Sequence, residues 1–330
     1  MTAADRRGTH ACFTLDADPA NPGLVASYLR VAVAEGVAEG ECAFIETNTA
    51  HSLPILLAAL DEHRLSRDAV RYVIVTHAHL DHAGGASAVM QACPKATLLA
   101  HPRAARHLID PTKLVASATK VYGAERFAAL YGVIAPIAGD RVRALDDGAE
   151  VPLGDASLRF LHTRGHAKHH FVVSDPALEA VFTGDTLGLV YPRLQRAGLF
   201  TLASTSPTDF EPAHARSSID RILALGAKTA YLTHFGPVRD IEGVARQLRR
   251  CVDDSEAWLV EATGSQAPLA DVEARLQDQI RAAITRQAEE VGLVLGPSDW
   301  DALALDVDLN AQGIAFVADR ARKGVSAVSS

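Results

Sequence analysis

Cysteine is scarce in this chain of 330 residues. Cys12, Cys42, Cys93 and Cys251 are scattered and form no C-x-x-C pair, which excludes a disulfide framework and a cysteine-built zinc finger. They read as apolar side chains in a reducing compartment. No run of eighteen apolar residues occurs, so no membrane span is expected. Residues 1–10 are polar and lack an apolar signal core, so the expected location is the cytoplasm. A basic excess is missing too. The formal net charge is −8, and there is no basic, aromatic-rich arm, which argues against a nucleic-acid partner. Neither a repeat nor a low-complexity tract is visible. What the chain does have is 48% hydrophobic residues, enough for a sizeable core, and the length of one large domain with an appendage or of two domains.

Short apolar, β-branched runs bounded by turn residues fill the first two thirds. Strands are expected at residues 10–16, 26–33, 42–46, 72–75 and 96–100, and again at 141–145, 150–153, 158–162, 171–174, 180–183 and 229–233. Helices are expected from a Ser52 cap with Pro54 in the first turn to about residue 64, at 86–92 and at 213–225. Residues 103–131 read as a helical insertion able to cover a pocket. Residues 187–210 are rich in Gly, Pro, Ser and Thr and read as a functional lid. After residue 238 strand signals vanish. Val272, Leu276, Ile280 and Ile284 recur every four residues along one helix face, as core or as a homodimer surface. The chain is therefore divided into a catalytic domain, 1–238, and a helical C-terminal extension, 239–330.

The chemistry lies in four loops, each after an expected strand. The first, Thr76-His77-Ala78-His79-Leu80-Asp81-His82, packs three histidines and an aspartate into six residues and is followed by Gly84 and Gly85, which allow a tight turn. The others carry His166, Asp185 and His234. Imidazole and carboxylate together favour zinc or another first-row dication, with iron and manganese also acceptable to such a site. Seven ligands are too many for one ion and fit two, sharing a bridging carboxylate and a bridging water whose pKa falls toward neutrality. Hydrolysis by that hydroxide needs no serine or cysteine nucleophile.

The motif His77-x-His79-x-Asp81-His82, followed by His166, Asp185 and His234, resembles the metallo-β-lactamase-fold hydrolase superfamily over residues 25 to 238. The surrounding words Thr163-Arg-Gly-His166, Thr183-Gly-Asp185 and Thr233-His234-Phe-Gly fit as well. The resemblance implies a four-layer αββα sandwich of two mixed sheets with metals at one sheet edge. It implies that His77, His79 and His166 hold one metal, that Asp81, His82 and His234 hold the other, and that Asp185 bridges them. Asp81 is expected to assist proton transfer as well. Departures are visible. Glu46 stands where relatives often carry Asp as a support to the ligands. His79 stands where the diiron flavodiiron relatives carry Glu, which disfavours them. Lactonase relatives place a Tyr shortly after the bridging Asp, whereas Tyr191 lies six positions on. The loop Gly165-His-Ala-Lys-His-His170 is comparable to that of glyoxalase II, and with residues 204–209 it looks more like a branch of general hydrolases.

Among the remaining candidates, His170 is expected to support the ligands or touch substrate, and Tyr191 to reach a developing oxyanion. Arg164, Lys168 and Arg193 are expected to draw in an anionic group. His101 and His107 read as structural. The expected function is a binuclear metallohydrolase with two zinc ions, cleaving an ester, thioester or lactone of a small, potentially anionic molecule. The alternatives are a phosphodiesterase or nuclease of the same fold and a mononuclear iron oxidoreductase resembling persulfide dioxygenases.

Overall fold

A computed structural model describes residues 4–32, 40–205 and 209–328. Expectations that touch residues 1–3, 33 and 206–208 lie outside the described residues. The chain divides into two compact units, the first comprising 1–162, 169–184 and 225–239, the second 163–168, 185–224 and 240–330. One division falls at 239/240, and the second unit also takes in two earlier segments.

The first unit is built on two mixed sheets. The seven-stranded sheet runs β1 (Ala4–Arg7), β2 (His10–Asp16), β3 (Ala26–Ala32), β4 (Glu41–Ile45), β5 (Val70–Ile74), β6 (Thr97–Ala100) and β7 (Val142–Ala144), in that spatial order. Its first four strands are antiparallel neighbours, and β4 to β7 are parallel. The six-stranded sheet is ordered β13 (Gly236–Val238), β12 (Thr229–Leu232), β11 (Ala180–Gly184), β10 (Phe171–Asp175), β9 (Ala156–His162) and β8 (Glu150–Leu153). Strand β5 is β-branched and aromatic, sits between two parallel neighbours and is buried apart from Arg71, as a central parallel strand requires. Tyr28, Ile45 and Ile74 of one sheet share a core with Phe160, Phe171 and Phe182 of the other. A fully buried ion pair, Arg30 with Asp175, lies inside that sandwich, where the two charges satisfy each other.

On the outer face of the larger sheet pack α1 (Leu53–Glu62), α3 (Ala86–Ala92) and α4 (Pro102–Ile109), which share the second core with β2, β4 and β5. One short turn, α2 (Leu80–Ala83), precedes α3. The helical insertion consists of α4, α5 (Thr112–Tyr122) and α6 (Ala124–Tyr131). His101 has a structural task there, its Nδ1 accepting the Arg103 N–H at 3.0 Å at the start of α4. Two strands were not legible in the sequence. β1 is polar and is held by its backbone ladder to β2, and β13 is three residues long. Ser52 does not cap α1. Its hydroxyl instead donates to the Ala17 carbonyl at 2.6 Å.

The second unit contains α7 (Pro212–Leu223), α8 (Ile241–Gly264), α9 (Leu269–Glu290) and α10 (Pro297–Val328). The stripe of Val272, Leu276, Ile280 and Ile284 is buried along α9. After the break at Gly296, one continuous helix forms. Within residues 187–205, Leu189 and Leu202 exchange both backbone hydrogen bonds at 2.9 and 3.0 Å. Among the described residues no helix is long and apolar enough to cross a membrane.

Candidate metal centre

The strand β5 delivers the chain into a turn whose shape glycine permits. A Cβ on Gly85 would lie 2.5 Å from the Thr47 carbonyl oxygen and 2.6 Å from that of Thr49, closer than any side chain tolerates. The Gly85 N–H donates to Asn48 O at 2.8 Å, locking this approach. The result is that His77 and His82 are fully buried, although imidazole is polar. Burial of that kind requires partners. His77 Nδ1 lies 3.1 Å from Thr76 Oγ1, and its Nε2 lies 2.8 Å from His79 Nδ1. His82 Nδ1 lies 3.2 Å from Glu46 Oε2, while Glu46 Oε1 accepts the Thr76 N–H at 3.2 Å. One buried carboxylate therefore touches a candidate ligand and pins the turn that carries it, its contact with His82 lacking hydrogen-bond geometry.

Asp81, His82 and His234 bring their donor atoms within 4.8 Å of one another. His234 Nε2 is 3.4 Å and His82 Nε2 3.7 Å from Asp81 Oδ2. Ligands held about 2.1 Å from a tetrahedral ion lie about 3.4 Å apart, so these separations are those of a coordination polyhedron rather than of direct hydrogen bonds. The tautomers agree. His234 Nδ1 lies 2.9 Å from the Leu24 carbonyl, and a carbonyl only accepts, so Nδ1 carries the proton and Nε2 presents its lone pair. The donor set and its spacing could hold a divalent metal ion.

The second unit carries the other two predicted ligands. His166 Nε2 and Asp185 Oδ2 are 3.5 Å apart and both residues are buried. His166 Nδ1 points to the Ser204 carbonyl at 3.1 Å, again leaving Nε2 as the donor atom. The turn before it is set by Gly165 at φ +124°, where an added Cβ would collide with the backbone of Ala215. The Glu211 N–H donates to the Gly165 carbonyl at 2.9 Å.

His170 is fully buried, its ring 4.9 Å from that of His77 and its Nε2 against Gly184. Tyr191 is 6% exposed, and its hydroxyl donates to Asp306 Oδ1 on α10 at 3.1 Å. The three cations expected to attract an anion each face a carboxylate. Lys168 lies 3.1 Å from Asp209, Arg164 lies 4.0 Å from Glu211, and Arg193 lies 3.6 Å from Asp299.

Two neighbours escaped the sequence reading. His169 Nδ1 accepts the Ala78 N–H at 3.3 Å, and its ring is 5.5 Å from that of His79. Its place beside His170 just before β10 was the available signal. Tyr131, at the end of α6, has its hydroxyl pKa raised by burial, by the Tyr122 hydroxyl and by the nearby Asp81 charge. Asp81 itself keeps a side chain 45% exposed while its imidazole partners are buried.

A sequence profile of the metallo-beta-lactamase superfamily matches residues 35–234. The curated metallo-beta-lactamase fold-containing protein ST1585 of Sulfurisphaera tokodaii is 29% identical over 175 residues. That match takes in 52% of this chain and 62% of the relative, so the chain spans less than two thirds of that relative's length in the alignment. The crystal structure of ST1585 from Sulfolobus tokodaii superposes with a TM-score of 0.61 at 21% identity, covering 92% of this chain and 97% of that one. The metallo-beta-lactamase family protein TTHA1429 from Thermus thermophilus gives 0.60 at 21% identity, over 85% and 94% of the two chains. At these identities the structural likeness speaks for the fold.

Proposed function

The chain belongs to the metallo-beta-lactamase superfamily, and from that premise we propose that it is a binuclear metal-dependent hydrolase cleaving an ester, thioester or lactone bond of a small molecule. The observation that carries the reading is the triangle of Asp81, His82 and His234 at coordination spacing, with the other nitrogen of His234 already committed to the Leu24 carbonyl. In this reading Asp81, His82 and His234 hold one ion, and His77, His79 and His166 hold the other. Asp185 serves both. Chain continuity supports the joint set, because Asp185 directly follows β11, and His166 lies in the short connection between β9 and β10. Zinc is the preferred ion, with iron or manganese as acceptable occupants.

Two such ions supply a water acidic enough to deprotonate near neutral pH and an electrophile for the scissile carbonyl oxygen. The chain's own residues do the rest. Glu46 lies against the Nδ1 side of His82 and holds the Thr76 N–H. Asp81, the ligand with the most exposed side chain, accepts and returns the proton that moves during cleavage. His170 acts by packing on His77 rather than by touching substrate. Tyr191, with its hydroxyl given to Asp306, holds the segment after Asp185 in place. With Arg164, Lys168 and Arg193 each facing a carboxylate, an uncharged reacting group suits the site as well as an anionic one.

The test is a turnover screen of zinc-loaded protein, under nitrogen, against ester, thioester, lactone and phosphodiester panels. The reading predicts hydrolysis of at least one carbonyl substrate, lost on chelation and restored by zinc. Turnover of phosphodiesters alone, or activity that consumes oxygen with one iron per chain, would overturn it.

A further inference from the structure

The helical unit contains a cavity of about 290 Å³ that plays no part in the proposed hydrolysis. It lies among α8, α9, α10 and the segment 202–205. Trp258, Ile280, Ile284 and Ile314 give it apolar walls. Its two amides are already engaged. Gln287 Oε1 accepts from the Cys251 thiol at 3.3 Å, and its Nε2 donates to Gln247 Oε1 at 3.1 Å and to the Thr201 carbonyl. Asn310 Oδ1 accepts the Thr205 N–H at 2.6 Å and its hydroxyl at 2.8 Å, and Nδ2 donates to Ala203 O at 3.1 Å. Both arginines at the cavity are paired, Arg250 with Glu290 at 3.0 Å and Arg286 with Asp254 at 3.2 Å, while Asp253 faces Arg216 at 2.5 Å and Asp306 accepts the Tyr191 hydroxyl at 3.1 Å. One polar group remains. The indole N–H of half-buried Trp258 has no hydrogen-bond partner among the described residues.

An engineered apolar cavity of about 150 Å³ is enough to hold benzene, and small-molecule sites combine apolar walls with a few placed polar groups. We propose that this cavity binds an uncharged small molecule with an apolar carbon body and one hydrogen-bond acceptor, the acceptor meeting the Trp258 indole. An anionic head group finds no uncommitted cation there, because both arginines already face carboxylates and Asp253 and Asp306 add negative charge to the lining. The site is independent of the hydrolytic reading and stands or falls separately from it.

The chain's two tryptophans make the test direct, since Trp300 is not among the cavity's lining residues. In Trp300→Phe protein, titration with 1-octanol is expected to shift Trp258 emission saturably and to raise the melting temperature. Octanoate should need at least tenfold higher concentration for the same shift. In Trp258→Phe protein no saturable emission change is expected, and Ala283→Phe, which fills the cavity, should weaken octanol binding at least tenfold. If Ala283→Phe fails to fold, the tryptophan pair still locates the site. No saturable change in Trp300→Phe, an equal change in Trp258→Phe, or equal binding of octanoate would overturn the proposal.

Discussion

The turn of residues 75–85 and the segment of residues 185–205 both follow a strand of the sandwich and both carry proposed ligands, yet they are held by opposite means. The first is fixed from within its own sheet. Glu46, just after the neighbouring strand β4, lies against His82 and pins Thr76, and Gly85 closes on the carbonyls of Thr47 and Thr49. The second is fixed by helices far along the chain. Tyr191 binds Asp306, Arg196 binds Asp299 at 2.6 Å, Gln247 takes the Leu199 carbonyl at 2.7 Å, and Asn310 clamps Ala203 and Thr205. A ligand set can thus be written in a short motif while half of its support comes from a region that carries no motif. The helical tail is in this sense part of what holds His166, since Asn310 grips both neighbours of Ser204, whose carbonyl orients that histidine.

Mutations at graded distance from the donor atoms sharpen the contrast. The largest effect is expected from removing a donor. His79→Ala and Asp185→Asn should each lower kcat/KM by more than about 100-fold, beyond the roughly 10–100-fold typical of an outer support, with the circular-dichroism spectrum retained. Next comes the local support. Glu46→Gln should weaken zinc binding by about 10–100-fold in a chelator competition, and Glu46→Asp, with a shorter reach, should recover part of it. The distant support should matter less to the metal and more to the fold. Asn310→Ala is expected to weaken zinc binding by less than about tenfold and to cost roughly 1–3 kcal/mol in denaturant unfolding, since it leaves the Thr205 N–H and the Ala203 carbonyl without their partner. Smallest is Tyr191→Phe, with kcat within about twofold and a stability loss of about 1 kcal/mol. A hundredfold fall in its kcat would place the hydroxyl on the substrate instead.

The same contrast explains what the sequence disclosed. The strands of the sandwich were legible because β-branched runs such as 70–74 alternate with Asp-Gly and Gly-Asp turns, and the donors of the turn were legible because they are dense. β1 was not, because Ala-Asp-Arg-Arg has no apolar pattern and is held by its backbone ladder to β2 and by distant partners such as Tyr231 and Arg239 on Asp5. The expected cap at Ser52 failed because a carbonyl of another strand's loop competes for the hydroxyl. The pairing of Arg164, Lys168 and Arg193 with carboxylates was invisible for the same reason, since partners such as Asp299 and Glu211 lie tens of residues away. Side chains that act across the fold leave no periodic trace in the chain.

The most direct test is the metal content of the protein and its variants, measured by mass spectrometry after metal-free protein is equilibrated with zinc. Two tightly bound ions per chain are predicted, falling to one in His234→Ala, with anaerobic hydrolysis dependent on both. Zinc-equilibrated protein holding no ion, or a single iron whose turnover consumes oxygen, would contradict the binuclear hydrolase.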